Sequence, residues 1–307
     1  MKTAVLVHSP EFACSENLVR AFAAWGEAYL ISVQPGDWRE YDAGLVIDNP
    51  QALEQARDIA AAADLLVIGD AISFDCLGQI GGSNWIRWAY DRRVIAFFGD
   101  TAYWRFPRYY EGLCNAIGLR RIFLLPDLMP LAGMPAVPLH HPQRLLEGEK
   151  AEKLTIIHSP GRDGKAVKKG TPAIEEVIAK LQEAYEFDYK RLMYLPLAEC
   201  LRVKATGHIM IDQVPPPGAP FGLGRSGLEG MAAGLATITA LYDPACLEGF
   251  FAPPPVLPAH DKIELESMLV KLLESPAILE EAGRAARQWV NDTLEIEPWL
   301  NYLCRYL

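Results

Sequence analysis

The chain has 307 residues, half of them hydrophobic and 22% charged, with a formal net charge of −10. That length bounds it at one large or two ordinary domains, and the composition excludes a disordered chain. The acidic balance argues against a partner gripped through phosphate neutralisation, which calls for a basic face, so nucleic acid is not an expected partner, although a local basic patch stays open.

The opening run MKTAVLVHSP is too short for a signal-peptide core, and no stretch reaches the ~18 apolar residues of a membrane span. The six cysteines are scattered without a C-x-x-C pair, so neither a zinc site nor a disulfide framework is expected.

Short apolar runs alternate with helical patterns. Residues 4–8 (AVLVH) read as a buried strand, and 15–26 as a helix capped by Ser15 and stopped by Gly26. Strands follow at 28–33 and 43–47, then a helix over 50–64 with Pro50 in its first turn. Next come a strand at 65–69, a glycine-rich turn at 78–84 (GQIGGSN), a helix near 84–90 and a strand at 93–99. The turn has a second reading, as a mobile acceptor loop. A helix near 107–117 and a strand at 121–125 close the first half. Residues 126–142 hold five prolines and are followed by a charged stretch, which predicts a domain boundary near 142–152.

The rhythm then restarts with strands at 153–160, 187–195, 208–212 and 236–241 and helices at 171–185, 198–205 and 225–234. Three helical patterns near 262–274, 277–291 and 296–306 end the chain. Strands this apolar, separated by helices, predict an α/β architecture of parallel sheets covered on both faces. VLVHSP at 5–10 and TIIHSP at 155–160 each end the first strand of a half. This echo marks His8, Ser9, His158 and Ser159 as candidates at a ligand-binding sheet edge, in a cleft between two similar domains.

Gly222-Leu223-Gly224-Arg225-Ser226-Gly227 spells G-x-G-x-x-G, and Asp243 follows at roughly the separation of a ribose-binding acid. A dinucleotide fingerprint needs a strand running directly into the first glycine. Here four prolines, 215–217 and 220, intervene. The NAD reading is the weaker one for that reason. A glycine loop entering a helix still presents backbone N–H groups and a positive helix end to an anion. Glu229 lies on that helix, either as a solvated residue or as an acceptor for two ribose hydroxyls. The second feature is HSPGRDGKAVKKG (158–170), where Arg162, Lys165, Lys168 and Lys169 fall within eight residues. Such a basic cluster suits a diphosphate, and an exposed solvated loop is the alternative.

On these two segments the sequence resembles the C-terminal half of retaining GT-B glycosyltransferases of the family 4 type. Arg162 and Lys169-Gly170 match the family's Arg and Lys-Gly, and GRSGLEGMAAG (224–234) matches its nucleotide helix, with Glu229 in the Glu position. IDQ (211–213) resembles one branch. The resemblance implies two Rossmann-like domains facing across a cleft: 1–148 for the acceptor, 149–291 for the nucleotide-sugar donor, and 292–307 returning as a helix to the first. It implies a nucleotide-diphosphate sugar as donor substrate, with no cofactor and no essential metal, since the chain has no Asp-x-Asp. The acceptor is a glycan, a lipid-linked or a small-molecule hydroxyl. The location is cytoplasmic, with peripheral contact to the inner membrane as a variant.

It assigns the leaving diphosphate to Arg162 and Lys169, with Lys165 competing, and the donor to Phe221, Gly222, Leu223, Gly224, Ser226, Gly227 and Glu229. Three features depart from the family. Phe221 stands where a Glu is common. Asp100, after Phe98-Gly99, stands in place of a His-Gly and becomes the contact to sugar or acceptor. The loop from Arg162 to Lys169 is long. A degenerate GT-B protein that binds a nucleotide or a partner without catalysis is therefore the alternative, with an NAD-dependent oxidoreductase behind it.

Overall fold

A computed structural model describes residues 1–8, 15–35, 44–69, 72–98, 106–119, 121–124, 148–216, 222–240 and 253–304. The predicted proline-rich junction at 126–142, and with it Ser9, Asp100, Phe221 and Asp243, lies outside them. The chain divides into two compact units, one of Met1–Pro142 with Ile296–Leu307 and the other of Gln143–Glu295.

In the first unit the strands are β1 (Lys2–Val7), β2 (Glu27–Ser32), β3 (Leu45–Val46), β4 (Leu65–Ile68), β5 (Val94–Phe98) and β6 (Arg121–Leu124). They form a parallel sheet in the order β3-β2-β1-β4-β5-β6. β1 and β4 are apolar along nearly their whole length because both sheet faces are covered. The described helices are α1 (Ser15–Ala23), α2 (Pro50–Ala62), α3 (Phe74–Gly81), α4 (Trp85–Tyr90) and α5 (Pro107–Ala116). α2 starts where the Asn49 side chain accepts the Ala52 N–H at 2.9 Å, with Pro50 behind it, and it buries the stripe Ala52, Ala56, Ala60.

α3 corrects the reading of 78–84 as a turn or loop. Gly78 and Gly81 lower its intrinsic propensity, but Phe74, Cys76, Leu77 and Ile80 are buried and tertiary packing prevails. A short 3-10 helix follows at Gly82–Asn84, and Gly82, its first residue, has φ +64°.

In the second unit β7 (Thr155–Gly161), β8 (Asp188–Met193), β9 (Ile209–Gln213), β10 (Ala236–Thr239) and β11 (Leu257–Pro258) form a parallel sheet in the order β11-β10-β9-β7-β8. The helices are α6 (Asp163–Ala166), α7 (Thr171–Leu181), α8 (Leu197–Ala205), α9 (Arg225–Ala232), α10 (Lys262–Glu274) and α11 (Pro276–Leu294). Ile156, Ile209, Ile211 and Ile238 of the sheet share a core with Ile174, Ile178, Leu265 and Leu269 of the helices. The last helix, α12 (Ile296–Cys304), belongs to the first unit: Trp299 is 1% exposed and meets Phe22 edge-on at 6.2 Å and Phe97 in a stack at 6.1 Å.

The strand order reverses direction between β7 and β9. Open α/β sheets bind ligands at the carboxyl ends of strands at such a switch point. Both segments singled out in the sequence lie there: the basic loop leaves β7, and the glycine loop follows β9.

Candidate functional site

β9 ends in two buried polar residues, Asp212 and Gln213, 0% and 2% exposed. Both hold the glycine loop. Asp212 Oδ2 accepts the Gly224 N–H at 2.7 Å, and the Gln213 side-chain amide donates to the Gly222 carbonyl. The Thr239 hydroxyl, at the end of β10, lies 3.2 Å from the same carbonyl and 3.4 Å from Asp212 Oδ2. The other carboxylate oxygen accepts from Lys169 Nζ at 3.0 Å. Lys169 and the glycine loop, 53 residues or more apart by number (222 less 169), are thus joined through one buried carboxylate.

The glycines have a packing cause. A Cβ on Gly224 would sit 3.1 Å from Asp212 Oδ2, and one on Gly227 2.9 Å from the same oxygen and 2.6 Å from Leu223 Cδ1. A Cβ on Gly230 would meet Met210 Cγ at 2.6 Å. Glycines three apart on one helix face therefore lie against alternate residues of β9, which lets α9 approach the strand. The strand itself ends at Gln213, nine residues before Gly222, so the direct strand-to-glycine turn of a dinucleotide fingerprint is absent here.

Lys169 is placed by Gly170, which caps α7 in the left-handed region at φ +77°. A Cβ there would fall 1.8 Å from the Val214 carbonyl oxygen. The Lys169 carbonyl also accepts the Val214 N–H at 3.0 Å, which fastens the basic loop to the chain leaving β9. Arg162 is exposed and caps α6, and Lys165 is half-buried one helical turn before Lys169, whose N–H donates to the Lys165 carbonyl at 2.9 Å.

His158 is fully buried. One ring nitrogen, Nδ1, lies 2.8 Å from the Ile211 carbonyl oxygen, which can only accept, so Nδ1 carries the proton. Nε2 then accepts from the Thr171 hydroxyl at 2.8 Å. Burial pushes its pKa down to about 4, helped by the Lys169 cation, so the ring is neutral. Ser159 is also buried, its Oγ 3.6 Å from Cys200 Sγ.

Glu229 is 4% exposed, in the second turn of α9. Its carboxylate accepts from Lys204 Nζ and, on Oε1, from Arg225 Nε at 2.9 Å. Lys204, on α8, also donates to the Ser226 hydroxyl at 3.0 Å. Burial works against the Lys204 ammonium, but the Glu229 carboxylate outweighs it and holds the pKa above the ordinary lysine value. Glu229 therefore lies among cations inside the unit rather than on a solvated helix face.

The structure thus gathers Lys169, Gly222, Leu223, Gly224, Ser226, Gly227, Glu229, His158 and Ser159 at the carboxyl ends of β7, β9 and β10. His8 lies in the other unit, where its N–H donates to Ser73 Oγ at 2.8 Å and its Nδ1 is 3.7 Å from Asp75 Oδ2. Asp212, Gln213, Thr239, Lys204 and Arg225 are functional candidates that only the folded chain reveals. IDQ carried a resemblance without a function, and Lys204 carried no signal, since a lysine among apolar neighbours on a short helix reads as solvent-facing. Among the described residues no group of three His, Cys, Asp or Glu side chains stands ready for a metal ion.

By sequence, neither a protein-family model nor a curated protein matches the chain. Solved structures do match. HepE of Anabaena, in complex with UDP and glucose, superposes with a TM-score of 0.70 at 11% identity, over 99% of both chains. Sucrose-phosphate synthase of Thermosynechococcus elongatus gives 0.62 at 12% identity, over 99% of this chain and 98% of its own. The spinosyn rhamnosyltransferase SpnG, complexed with thymidine diphosphate, gives 0.54 at 11%, over 99% and 100%. Likeness at such identity is one of fold, and the fold it shows for this chain is GT-B.

Proposed function

We propose that the chain is a glycosyltransferase of the family 4 type that moves a sugar from a nucleotide-diphosphate sugar to an acceptor hydroxyl, with retention and without a metal. The observation that carries this reading is the buried Asp212 carboxylate, which holds Lys169 and the glycine loop together at the switch point of the second unit. A cation and a helix N-terminus side by side are what a diphosphate leaving group requires.

In this reading the diphosphate lies on Lys169, Arg162 and the loop at 222–227, with Lys165 a turn away. The ribose hydroxyls reach Glu229 from the side of Arg225, whose side chain is 21% exposed, while Lys204 stands behind at 1%. The bond from the anomeric carbon to the phosphate oxygen breaks and its electron pair stays with the diphosphate. The acceptor oxygen bonds to that carbon and its proton passes to the departing phosphate oxygen. Lys169 and Arg162 stabilise the charge that develops. Asp100 is assigned to the sugar or acceptor, and the acceptor is a glycan, a lipid-linked or a small-molecule alcohol. HepE and SpnG are described as bound to UDP and to thymidine diphosphate, which supports a donor of this class. No helix among the described residues is long and apolar enough to cross a membrane.

Phe221, standing where the resemblance has a Glu, favours a second reading, nucleotide binding without turnover. A thermal-shift screen against nucleoside diphosphates and nucleotide sugars, followed by donor hydrolysis and transfer assays, separates the two. A nucleotide sugar should stabilise the protein, and Glu229→Ala and Lys169→Ala should each lose that stabilisation together with turnover. If neither substitution changes nucleotide-sugar binding or turnover, the site is wrongly assigned. Stabilisation with no turnover over a broad acceptor panel selects the second reading.

A further inference from the structure

Asp212 is 0% exposed, and its three neighbours come from three elements: Lys169 Nζ from the turn before α7, the Gly224 N–H from the loop before α9, and the Thr239 hydroxyl from the end of β10. A buried ion pair is a poor source of stability compared with apolar packing of the same volume. Gly224 and Gly227 are also shaped to it, since a Cβ on either would press on Asp212 Oδ2 at 3.1 or 2.9 Å. Carboxylate, lysine and loop are fitted to one another.

A lysine ammonium on a free four-carbon stem loses rotamer entropy whenever it grips an anion. It carries three donors, and the bond to Asp212 uses one. The Lys169 side chain keeps 17% exposure, so the ammonium stays within reach of a ligand at the sheet edge. The Gly224 N–H is different. It donates to Asp212 Oδ2, so this amide ties the glycine loop to the end of β9.

We infer that Asp212 is a positioning residue for the diphosphate: its buried carboxylate holds the Lys169 ammonium and the glycine loop as one preformed unit, and Lys169 meets the diphosphate without leaving Asp212. The inference rests on the donor-site reading above. It makes a directional claim, because a buried negative charge beside an anion site could act in either sense. If Asp212 only competed for Lys169, removing its charge would free the lysine and tighten the nucleotide. If it positions the lysine, removing its charge weakens the nucleotide and does so only while Lys169 is present.

The test uses the full chain and calorimetric titration with UDP, TDP, GDP and ADP, taking forward the tightest together with its parent nucleoside, whose weaker binding is read by saturation-transfer NMR. Asp212→Asn keeps an oxygen for the Gly224 N–H and loses the charge. It should weaken the diphosphate about tenfold, the effect of one charge-assisted contact, and leave the nucleoside unchanged. In a Lys169→Met background the same substitution should change diphosphate affinity less than about twofold, because the pair is already broken.

Gly224→Ala is the independent variant. Its backbone, at φ −82° and ψ 171°, accepts an alanine, and the new Cβ meets the Asp212 carboxylate. It should give the same loss, selective for the diphosphate, and it decides the matter should Asp212→Asn not fold. Equal or tighter diphosphate binding by Asp212→Asn, an equal loss for the nucleoside, or an undiminished loss in the Lys169→Met background overturns the inference while leaving the donor site standing. Failure of all four diphosphates to bind the native chain removes the donor-site reading and the inference with it.

Discussion

Replacing Lys204 by Met removes the charge from the most deeply buried cation among the described residues of the second unit and leaves a side chain of similar length. The native pair is nearly dry, with side-chain exposures of 1% for Lys204 and 5% for Glu229. Taking one partner from a buried ion pair costs about 3–5 kcal/mol, because the other charge stays behind uncompensated. Arg225, 2.9 Å from Glu229 Oε1, covers part of that charge, which places Lys204→Met near the lower end, about 3 kcal/mol. Glu229→Gln leaves Lys204 buried against the neutral Ser226 hydroxyl and should cost about as much. The double variant buries neither charge of the pair and leaves Arg225, its side chain 21% exposed, as the remaining cation beside position 229. Its loss should therefore be about 3 kcal/mol, well short of the ~6 kcal/mol sum of the singles, a coupling of about 3 kcal/mol. Urea and thermal unfolding followed by circular dichroism read all four proteins. For a unit of this size each single variant should lower the melting temperature by about 6–12 °C. Losses in the double variant that add to within about 0.5 kcal/mol of the singles would refute the argument, since independent sites add and a buried pair does not.

His158 makes stability fall with acid. Burial lowers its folded pKa from 6.5 to about 4, so the contribution is complete above pH 6.5 and is lost as the pH falls toward 4, where the unfolded chain takes up a proton that the folded ring refuses. Between pH 7 and 5 the native protein should lose about 2 kcal/mol relative to His158→Gln, read by urea unfolding at each pH, and parallel profiles for the two would exclude a neutral buried ring. Gly170→Ala should cost about 3 kcal/mol or more, because alanine is strained at φ +77° and its Cβ would fall 1.8 Å from the Val214 carbonyl oxygen. A loss under about 1 kcal/mol in the same assay would show that the turn carrying Lys169 relaxes freely.

The alternation of strands and helices was readable because it depends on local period. β1, β4 and β5 are short apolar runs, the helix at 50–62 begins on Pro50, and the helix at 262–274 follows its own helical pattern. The basic loop after β7 and the glycine loop after β9 could likewise be picked out as anion-seeking segments from composition alone. α3 could not, because Gly78 and Gly81 argue locally for a turn and only the burial of Phe74, Leu77 and Ile80 argues for a helix.

The site shows the same division. The sequence by itself determined that a lysine, a glycine loop and Glu229 share one domain of an α/β chain. Tertiary structure alone decided that Gly224 and Gly227 are glycines because Asp212 lies under them, that Glu229 is paired inside the unit with a lysine from α8, and that one carboxylate at the end of β9 ties Lys169 to the loop. Periodicity reports which face of an element is apolar. It carries no information about which polar groups from distant segments will be buried together, and a buried charge is stable only where its partners arrive with it.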